Sequence, residues 1–160
     1  MSKRILPLES GDFEEVKAII IKEWGSDYVI VHGDIVHPAE LPGYKVMEDE
    51  KLVGLVTCLV KGQECEIVTL NSFREGEGIG DALMQVVESF ALSHQCTTCL
   101  LVTTNDNLNA LGFYQRRGFY ISEVRPGAVD EARKVKISIP RIADNGIPIR
   151  DEITLIKQIS

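Results

Sequence analysis

The residues whose types and spacing point first to chemistry are three glycines in the segment EGEGIGDALMQVV, residues 75–87. Gly76, Gly78 and Gly80 occupy alternate positions at the start of an amphipathic helical pattern. A glycine in a helix costs up to about 1 kcal/mol in backbone entropy, so three of them need a physical reason. The first N–H groups of a helix lack intrahelical partners and lie at the positive end of its dipole. A turn without Cβ atoms therefore lets a phosphate group approach those N–H groups closely.

Two common phosphate-binding patterns fail at this turn. The Walker pattern requires Lys and then Ser or Thr after its last glycine, whereas Asp81 follows Gly80 here. The dinucleotide pattern G-x-G-x-x-G fails too, because the spacing is G-x-G-x-G and the turn follows an antiparallel strand pattern. Taken alone, the turn fits tight packing as well as it fits an anion site.

A second motif lies about thirty residues downstream, in LLVTTNDNLNALGFYQRRGF, residues 100–119. Together the two stretches resemble the GCN5-related N-acetyltransferases (GNAT), whose signature is Q/R-x-x-G-x-G/A at a helix start, then N-x-x-A-x-x-F/L-Y-x-x-x-G-F. The second pattern is matched throughout, by Asn107, Ala110, Phe113, Tyr114, Gly118 and Phe119. The opening ILPLESGDFEEVKAII, residues 5–20, is also similar to the family's first strand and helix. The resemblance thus covers most of the chain.

The resemblance implies a fold and an activity. The expected fold is α/β (α+β), one domain over residues 1–160, with a mixed, mostly antiparallel sheet flanked by helices. That sheet is expected to splay at the cofactor site, between the strands CEIVTL (65–70) and TTCLLVTT (97–104). The implied activity is direct transfer of an acetyl group from acetyl-CoA to a primary amine. The alternative is a CoA-binding sensor or regulatory module without catalysis.

The resemblance also implies the cofactor contacts. The pantetheine amides are expected to pair with backbone groups near Leu70, and the diphosphate to rest on the glycine turn. One departure is Glu75, which occupies the family's Gln/Arg position; its carboxylate opposes a diphosphate, and Arg74 is expected to substitute in part. This departure keeps the non-catalytic alternative open. The implied cofactor-binding residues are Leu70, Arg74, Gly76, Glu77, Gly78, Ile79, Gly80, Asn107 and Tyr114.

For catalysis, the resemblance implies that Tyr114 donates a proton to the departing thiolate; otherwise its ring only packs within its helix. Glu64 and Glu66 are candidate bases, since Glu64 falls where some family members carry a glutamate base. Alternation along the strand predicts that both share a face with Val68 and Leu70. Two alternatives stay open: both glutamates face water, or ordered water carries the proton away.

The acceptor pocket is expected between an irregular segment, residues 25–42, and the tail, residues 147–152. The first segment offers acidic groups that attract an ammonium, and histidines. These candidates are His32, Asp34, His37 and Glu40. No pattern names the acceptor, which is a small molecule or a peptide amine.

Composition narrows the class of protein further. The 160 residues carry a formal charge of −7, which argues against nucleic-acid binding because phosphate contacts need clustered cations. The longest apolar stretch, residues 52–60, is too short to cross a membrane, and no signal-peptide pattern opens the chain. The four cysteines complete no zinc pattern, so buried reduced thiols and no metal are expected. A cytoplasmic location follows from these features, and the resemblance leaves a homodimer open.

Hydrophobic periodicity predicts the elements that position these residues. The two strongest helices, residues 78–94 and 106–118, each follow a strand directly. Ser10 or Asp12 is expected to cap an earlier helix, and Asp106 or Asn107 the later one. Strands are predicted at RILPL, GYKVM, LVGLVTCLV, CEIVTL, TTCLLVTT, FYISEV and EITLIKQI, with further helices in SGDFEEVKAIIIKEW and GAVDEARKVK.

Overall fold

A computed structural model describes residues 2–160 and contains the predicted elements. The strands are β1 (Arg4–Pro7), β2 (Val29–Val31), β3 (Asp34–Val36), β4 (Gly43–Glu48), β5 (Lys51–Lys61), β6 (Glu64–Ser72), β7 (Thr98–Thr104), β8 (Tyr120–Arg125) and β9 (Glu152–Gln158). The helices are α1 (Phe13–Trp24), α2 (Ile79–Ser93), α3 (Leu108–Arg116) and α4 (Ala128–Val135). The irregular segment holds β2, β3 and one short 3₁₀ turn.

Seven of these strands form one sheet in the order β1-β4-β5-β6-β7-β9-β8, and β2 and β3 form a separate pair. The pairs β1–β4, β4–β5, β5–β6 and β8–β9 are antiparallel. The expected mixed, mostly antiparallel α/β class is therefore confirmed. The insertion of β9 between β7 and β8 was not predicted, because local periodicity carries no information on long-range pairing. The splay between β6 and β7 stays a prediction.

Two compact units make up the chain. The first contains the segment that ends at Val29, His37–Cys99 and Gln158–Ser160, and the second contains Ile30–Val36 and Leu100–Lys157. The glycine turn belongs to the first unit, and α3, which carries most of the second motif, belongs to the second unit. The single domain expected over the whole chain stays a prediction.

In the first unit, helices pack on both faces of β5. Leu55 is fully buried against Val16 and Ile20 of α1. Its neighbour Gly54 faces α2: a Cβ built there would lie 2.5 Å from Cγ2 of Ile79, the first residue of that helix. The missing side chain thus allows the start of α2 to rest directly on the sheet. This contact fixes the position of the helix start.

The four cysteines, Cys58, Cys65, Cys96 and Cys99, are buried reduced thiols in the first unit, as predicted. A hydrogen bond with Cys58, together with burial, raises the pKa of Cys65 to about 12. Burial also raises the pKa of Cys96. Within residues 2–160, no helix has both the length and the apolar character needed to span a membrane.

In the second unit, Arg133 of α4 connects the helix to the tail. Its buried guanidinium donates to the carbonyls of Ile139, Pro140 and Ile149, at 2.9–3.0 Å, and pairs with Asp130 at 2.7 Å. A buried guanidinium is stable when its donors are satisfied in this way. The side chain therefore orders a segment that has little regular structure.

Candidate functional site

The glycine turn joins the end of β6 to α2, and its backbone adopts conformations that favour glycine. Gly76 has φ +74° and Gly78 has φ +75°, in the left-handed region. Gly78 is the N-cap of α2, and no side chain caps the helix there. A Cβ built at either residue would meet no atom of the described chain within 4 Å. The turn is thus open to solvent at the start of a helix, the geometry that an anion needs.

Two charged residues anchor the ends of this turn. The Arg74 guanidinium lies 2.5 Å from Oε1 of Glu48, at the end of β4. Glu77 pairs with Lys3 at 3.0 Å, and Lys3 also reaches Glu48 at 3.1 Å. The Lys3 ammonium and the Arg74 guanidinium lower the pKa of Glu48. The expected phosphate ligand Arg74 is therefore already ion-paired, with a residue 26 positions away that no local pattern indicated.

The pairing of β6 with β5 shows on which face of the sheet the candidate bases and Leu70 lie. Glu66 pairs with Leu59 of β5 and Leu70 pairs with Val56, while a register shift at Thr57/Cys58 leaves a bulge in β6. Leu59 and Val56 are three residues apart, so their side chains lie on opposite faces of the sheet. The expectation that both glutamates share a face with Leu70 is therefore wrong, because one inserted residue reverses the alternation. Glu64 is exposed and Glu66 is half-buried.

The second motif forms α3, and its first match has a structural role. Of the two residues expected to cap the helix, Asp106 and Asn107, the N-cap is Asn107, and its Oδ1 accepts a hydrogen bond from the Ala110 N–H at 3.2 Å. Gly118, expected to stop the helix, follows the C-cap with φ +95°. The Asn side chain thus satisfies one of the helix's first N–H groups.

Tyr114 of α3 is 7% exposed. Its ring makes edge-on contacts with Phe113 and Phe119, with centroids 5.0 and 5.4 Å apart. Burial raises the pKa of Tyr114 well above its usual range, although the nearby Arg117 charge opposes the effect. The phenol therefore stays protonated at neutral pH. The ring packs as a tyrosine without a catalytic role would, and the role of Tyr114 as proton donor stays a prediction.

Within the second unit, Arg125 of β8 links two segments that were expected to line an acceptor pocket. Its guanidinium pairs with the buried carboxylate of Glu152 and lies 3.5 Å from Nδ1 of His32. His32 and Asp34 are exposed on or beside the β2–β3 hairpin. Sequence reasoning missed Arg125, because only the long-range register of β8 and β9 places it opposite Glu152.

The candidates His37 and Glu40 lie in the first unit and are exposed. The His37 ring lies 6.2 Å from that of Tyr28, measured between centroids. Among residues 2–160, no group of three or more His, Cys, Asp or Glu side chains is arranged to hold a metal ion.

The glycine turn fits the diphosphate of the acetyl-CoA that the resemblance implies. Side chains at Gly76 and Gly78 would occupy the open space above the turn, and their absence leaves the backbone accessible. Backbone dipoles rather than lysines would hold the anion, which suits an acidic chain. Two exposed carboxylates in the turn oppose an anion, Glu75 and Glu77, and that of Glu77 is paired with Lys3.

Two bacterial proteins are similar to this chain over most of its length. The chain is 41% identical to the uncharacterized protein YxbD of Bacillus subtilis (strain 168) over 156 residues, 97% of this chain and 98% of the relative. It is 44% identical to the uncharacterized protein YdhI of the same organism over 139 residues, 86% and 87% of the two chains.

Solved structures share the fold. An IAA acetyltransferase from Bacillus cereus superposes with a TM-score of 0.76 at 19% identity, over 98% of this chain and 99% of that one. A GNAT family acetyltransferase from Elizabethkingia anophelis with acetyl-CoA bound gives 0.71 at 18% identity, over 98% and 97%. The model of the acetyltransferase (GNAT) family matches residues 5–119. Since that match spans more than half of the chain, the protein belongs to the GNAT family of acetyltransferases.

Proposed function

We propose that this GNAT protein transfers an acetyl group from acetyl-CoA directly to a primary amine. The observation that carries the proposal is the open, glycine-lined start of α2, where no side chain caps the helix. Bound acetyl-CoA supplies a thioester, which an amine can attack. The backbone of Gly76 to Gly80 would hold its diphosphate, and backbone groups near Leu70 its pantetheine amides. The Elizabethkingia neighbour, which carries acetyl-CoA, supports this choice of donor.

Tyr114 is the proposed proton donor. Burial raises the pKa of Tyr114, which keeps the phenol protonated at neutral pH. Because its pKa then lies above the value of about 8.5 for a thiol, the phenol stabilises the departing thiolate by a donated hydrogen bond, and the thiolate leaves without needing a full proton transfer from Tyr114. The O–H is therefore always available to donate a hydrogen bond to a departing sulfur. Asn107 contributes by starting α3 in a fixed position, which sets where Tyr114 lies along the helix.

Glu66 and Glu64 are the proposed bases that accept the proton of the amine. Glu66 is half-buried, which favours it over the exposed Glu64, since a base in contact with bulk water gains little from its position. Water reaching the exposed carboxylate of Glu64 would offer a second route for the proton. We also propose a cytoplasmic location, because the chain's thiols suit a reducing compartment.

The experiment is to incubate the protein with acetyl-CoA and a panel of primary amines and to measure CoA release. We expect Tyr114→Phe to lower kcat by about 100-fold, within the range for loss of a general acid, with CoA binding retained. Tyr120→Phe is the matched control, since Tyr120 lies on an exposed edge of the second unit and should leave kcat unchanged. Equal kcat in Tyr114→Phe and wild type would remove Tyr114 from the mechanism.

The second candidate function is a CoA-binding module without catalysis, which Glu75 favours. CoA binding without turnover on any amine of the panel would support it. Lack of CoA binding would contradict both candidates. Whether the chain forms a homodimer stays a prediction, which sedimentation of the purified protein would test.

A further inference from the structure

Four charged side chains form a closed ring with the glycine turn, which we call the turn clamp: Lys3, Glu48, Arg74 and Glu77. Arg74 and Glu77 lie on either side of Gly76. Arg74 pairs directly with Glu48 at 2.5 Å. Glu77 pairs with Lys3 at 3.0 Å, and Lys3 in turn pairs with Glu48 at 3.1 Å. Both ends of the turn are thus tied to one carboxylate on β4.

Glu48 is the least exposed member of the turn clamp. Its side chain is 12% exposed, against 29–38% for the other three. It receives two cations, and both lower its pKa. An isolated ion pair on the surface contributes little to stability. Two cations that share one carboxylate shielded from solvent form a network, and a network contributes more.

The turn has few other means of holding its shape. Gly76 and Gly78 are free of side-chain restraint, and no side chain caps α2. The Ser72 hydroxyl donates to the Arg74 carbonyl at 3.0 Å, which restrains only the first residues of the turn. A flexible turn would have to be ordered on binding an anion, and that entropy would weaken affinity.

We propose that Glu48 is a positioning residue, which holds the turn in its anion-binding conformation through Arg74 and Lys3. This inference rests on the proposed function, in which the turn binds the diphosphate of acetyl-CoA. Arg74 then acts through Glu48 and not as a phosphate ligand. Glu48 does not touch the reacting atoms, so its loss should change the KM for acetyl-CoA and leave kcat nearly unchanged.

The two roles of Arg74 predict opposite effects of Glu48→Gln. If the guanidinium bound phosphate directly, removal of the competing carboxylate would release it and strengthen CoA binding. If it acts through Glu48, the same substitution loosens the turn and weakens CoA binding. The sign of the change therefore separates the two roles.

The experiment is a calorimetric titration of CoA into wild type, Glu48→Gln, Arg74→Gln and the double variant. We expect each single substitution to weaken binding about fivefold, and the double variant to be no weaker than either. Arg74→Lys, which keeps one charged contact to Glu48, should recover part of the affinity. Amide hydrogen exchange of residues 75–80 should be faster in Glu48→Gln than in wild type.

Asp12→Asn is the matched control. It removes the ion pair of 2.6 Å between Asp12 and Lys45. Lys45 lies on β4, as Glu48 does, and both side chains of this pair are about as shielded from solvent as Glu48. It should lower the melting temperature without changing CoA affinity or exchange in the turn. If Glu48→Gln does not fold, Glu77→Gln breaks the other arm of the turn clamp at a more exposed position and should weaken binding as well.

CoA affinity in Glu48→Gln that equals or exceeds that of wild type would overturn the proposal, as would additive losses in the double variant. Failure of the wild type to bind CoA is a different result. It would overturn the proposed function, and this inference with it.

Discussion

At the scale of single residues, burial sets the acidity of Tyr114, and an ion pair sets which groups Arg74 can contact. Tyr114 was identified from its motif, but its burial between Phe113 and Phe119, and the raised pKa that follows, come from the packing of α3. Arg74 was expected to be available to phosphate, whereas the structure pairs it with Glu48. A motif gives residue types at fixed spacing. It does not contain the distant partner that decides what a charged group can do.

The raised pKa of Tyr114 gives a prediction for alkaline stability. The folded chain holds the phenol proton more tightly than the unfolded chain does. The stabilising contribution is thus fully present below the unfolded value of about 10 and is lost as pH rises from there through the folded pKa. We expect wild type to lose stability above about pH 10 more steeply than Tyr114→Phe does, in urea unfolding at several pH values. Tyr120→Phe should behave as wild type; identical slopes for both variants would contradict the assignment.

At the scale of elements, sequence predicted the type and approximate bounds of nearly every helix and strand, because their apolar periods are clear. It could not predict two features of the sheet. One is the place of β9 between β7 and β8, and the other is the bulge in β6 opposite Thr57/Cys58. The place of β9 depends on pairing between distant segments, whereas the bulge is one residue inserted within the β5–β6 hairpin, which a regular alternation pattern does not reveal. The second one matters to function, since it moved the candidate bases to the other face from Leu70.

The contact between α2 and β5 yields a prediction about the helix start. In Gly54→Ala the new Cβ would lie 2.5 Å from Cγ2 of Ile79 and 3.2 Å from that of Val46, both buried β-branched side chains that cannot move aside freely. We expect a loss of about 1–3 kcal/mol in the free energy of unfolding, measured with urea, and weaker CoA binding. Gly11→Ala is the control, since its Cβ meets nothing within 4 Å and its φ is not positive; it should change stability by less than about 0.5 kcal/mol. Equal effects of the two substitutions would show that α2 does not depend on this contact.

At the scale of the whole molecule, the formal charge of −7 acts on both substrates in opposite senses. In the proposed reaction, this charge attracts a cationic amine and repels the anionic CoA, which is why we propose that backbone dipoles hold the anion. The net charge, which is known from the composition alone, predicts the attraction between this chain and a cationic amine. It could not show that two cations near the turn, Lys3 and Arg74, are already neutralised by Glu48 and Glu77.

This charge predicts a salt effect that differs between the substrates. Raising NaCl from about 0.05 to about 0.5 M should increase the KM for a cationic amine about threefold, because the attraction is screened. The KM for acetyl-CoA should stay constant or fall over the same range. Initial rates with each substrate varied in turn measure both quantities. A KM for the amine that does not change with salt would show that the acidic surface plays no part in acceptor capture.

The buried sulfur atoms have a practical consequence for all of these measurements. Colorimetric reagents that trap sulfhydryls react with the ionised form at the protein surface, and Cys65 is held un-ionised in the interior with a pKa of about 12. Because all four thiols are buried, we expect the native protein to react slowly with such a reagent, so that the colour formed in a turnover assay comes mainly from released CoA. The same dye added to a denatured sample would titrate all four side chains, and its burst would report the fraction of molecules that have lost their native packing.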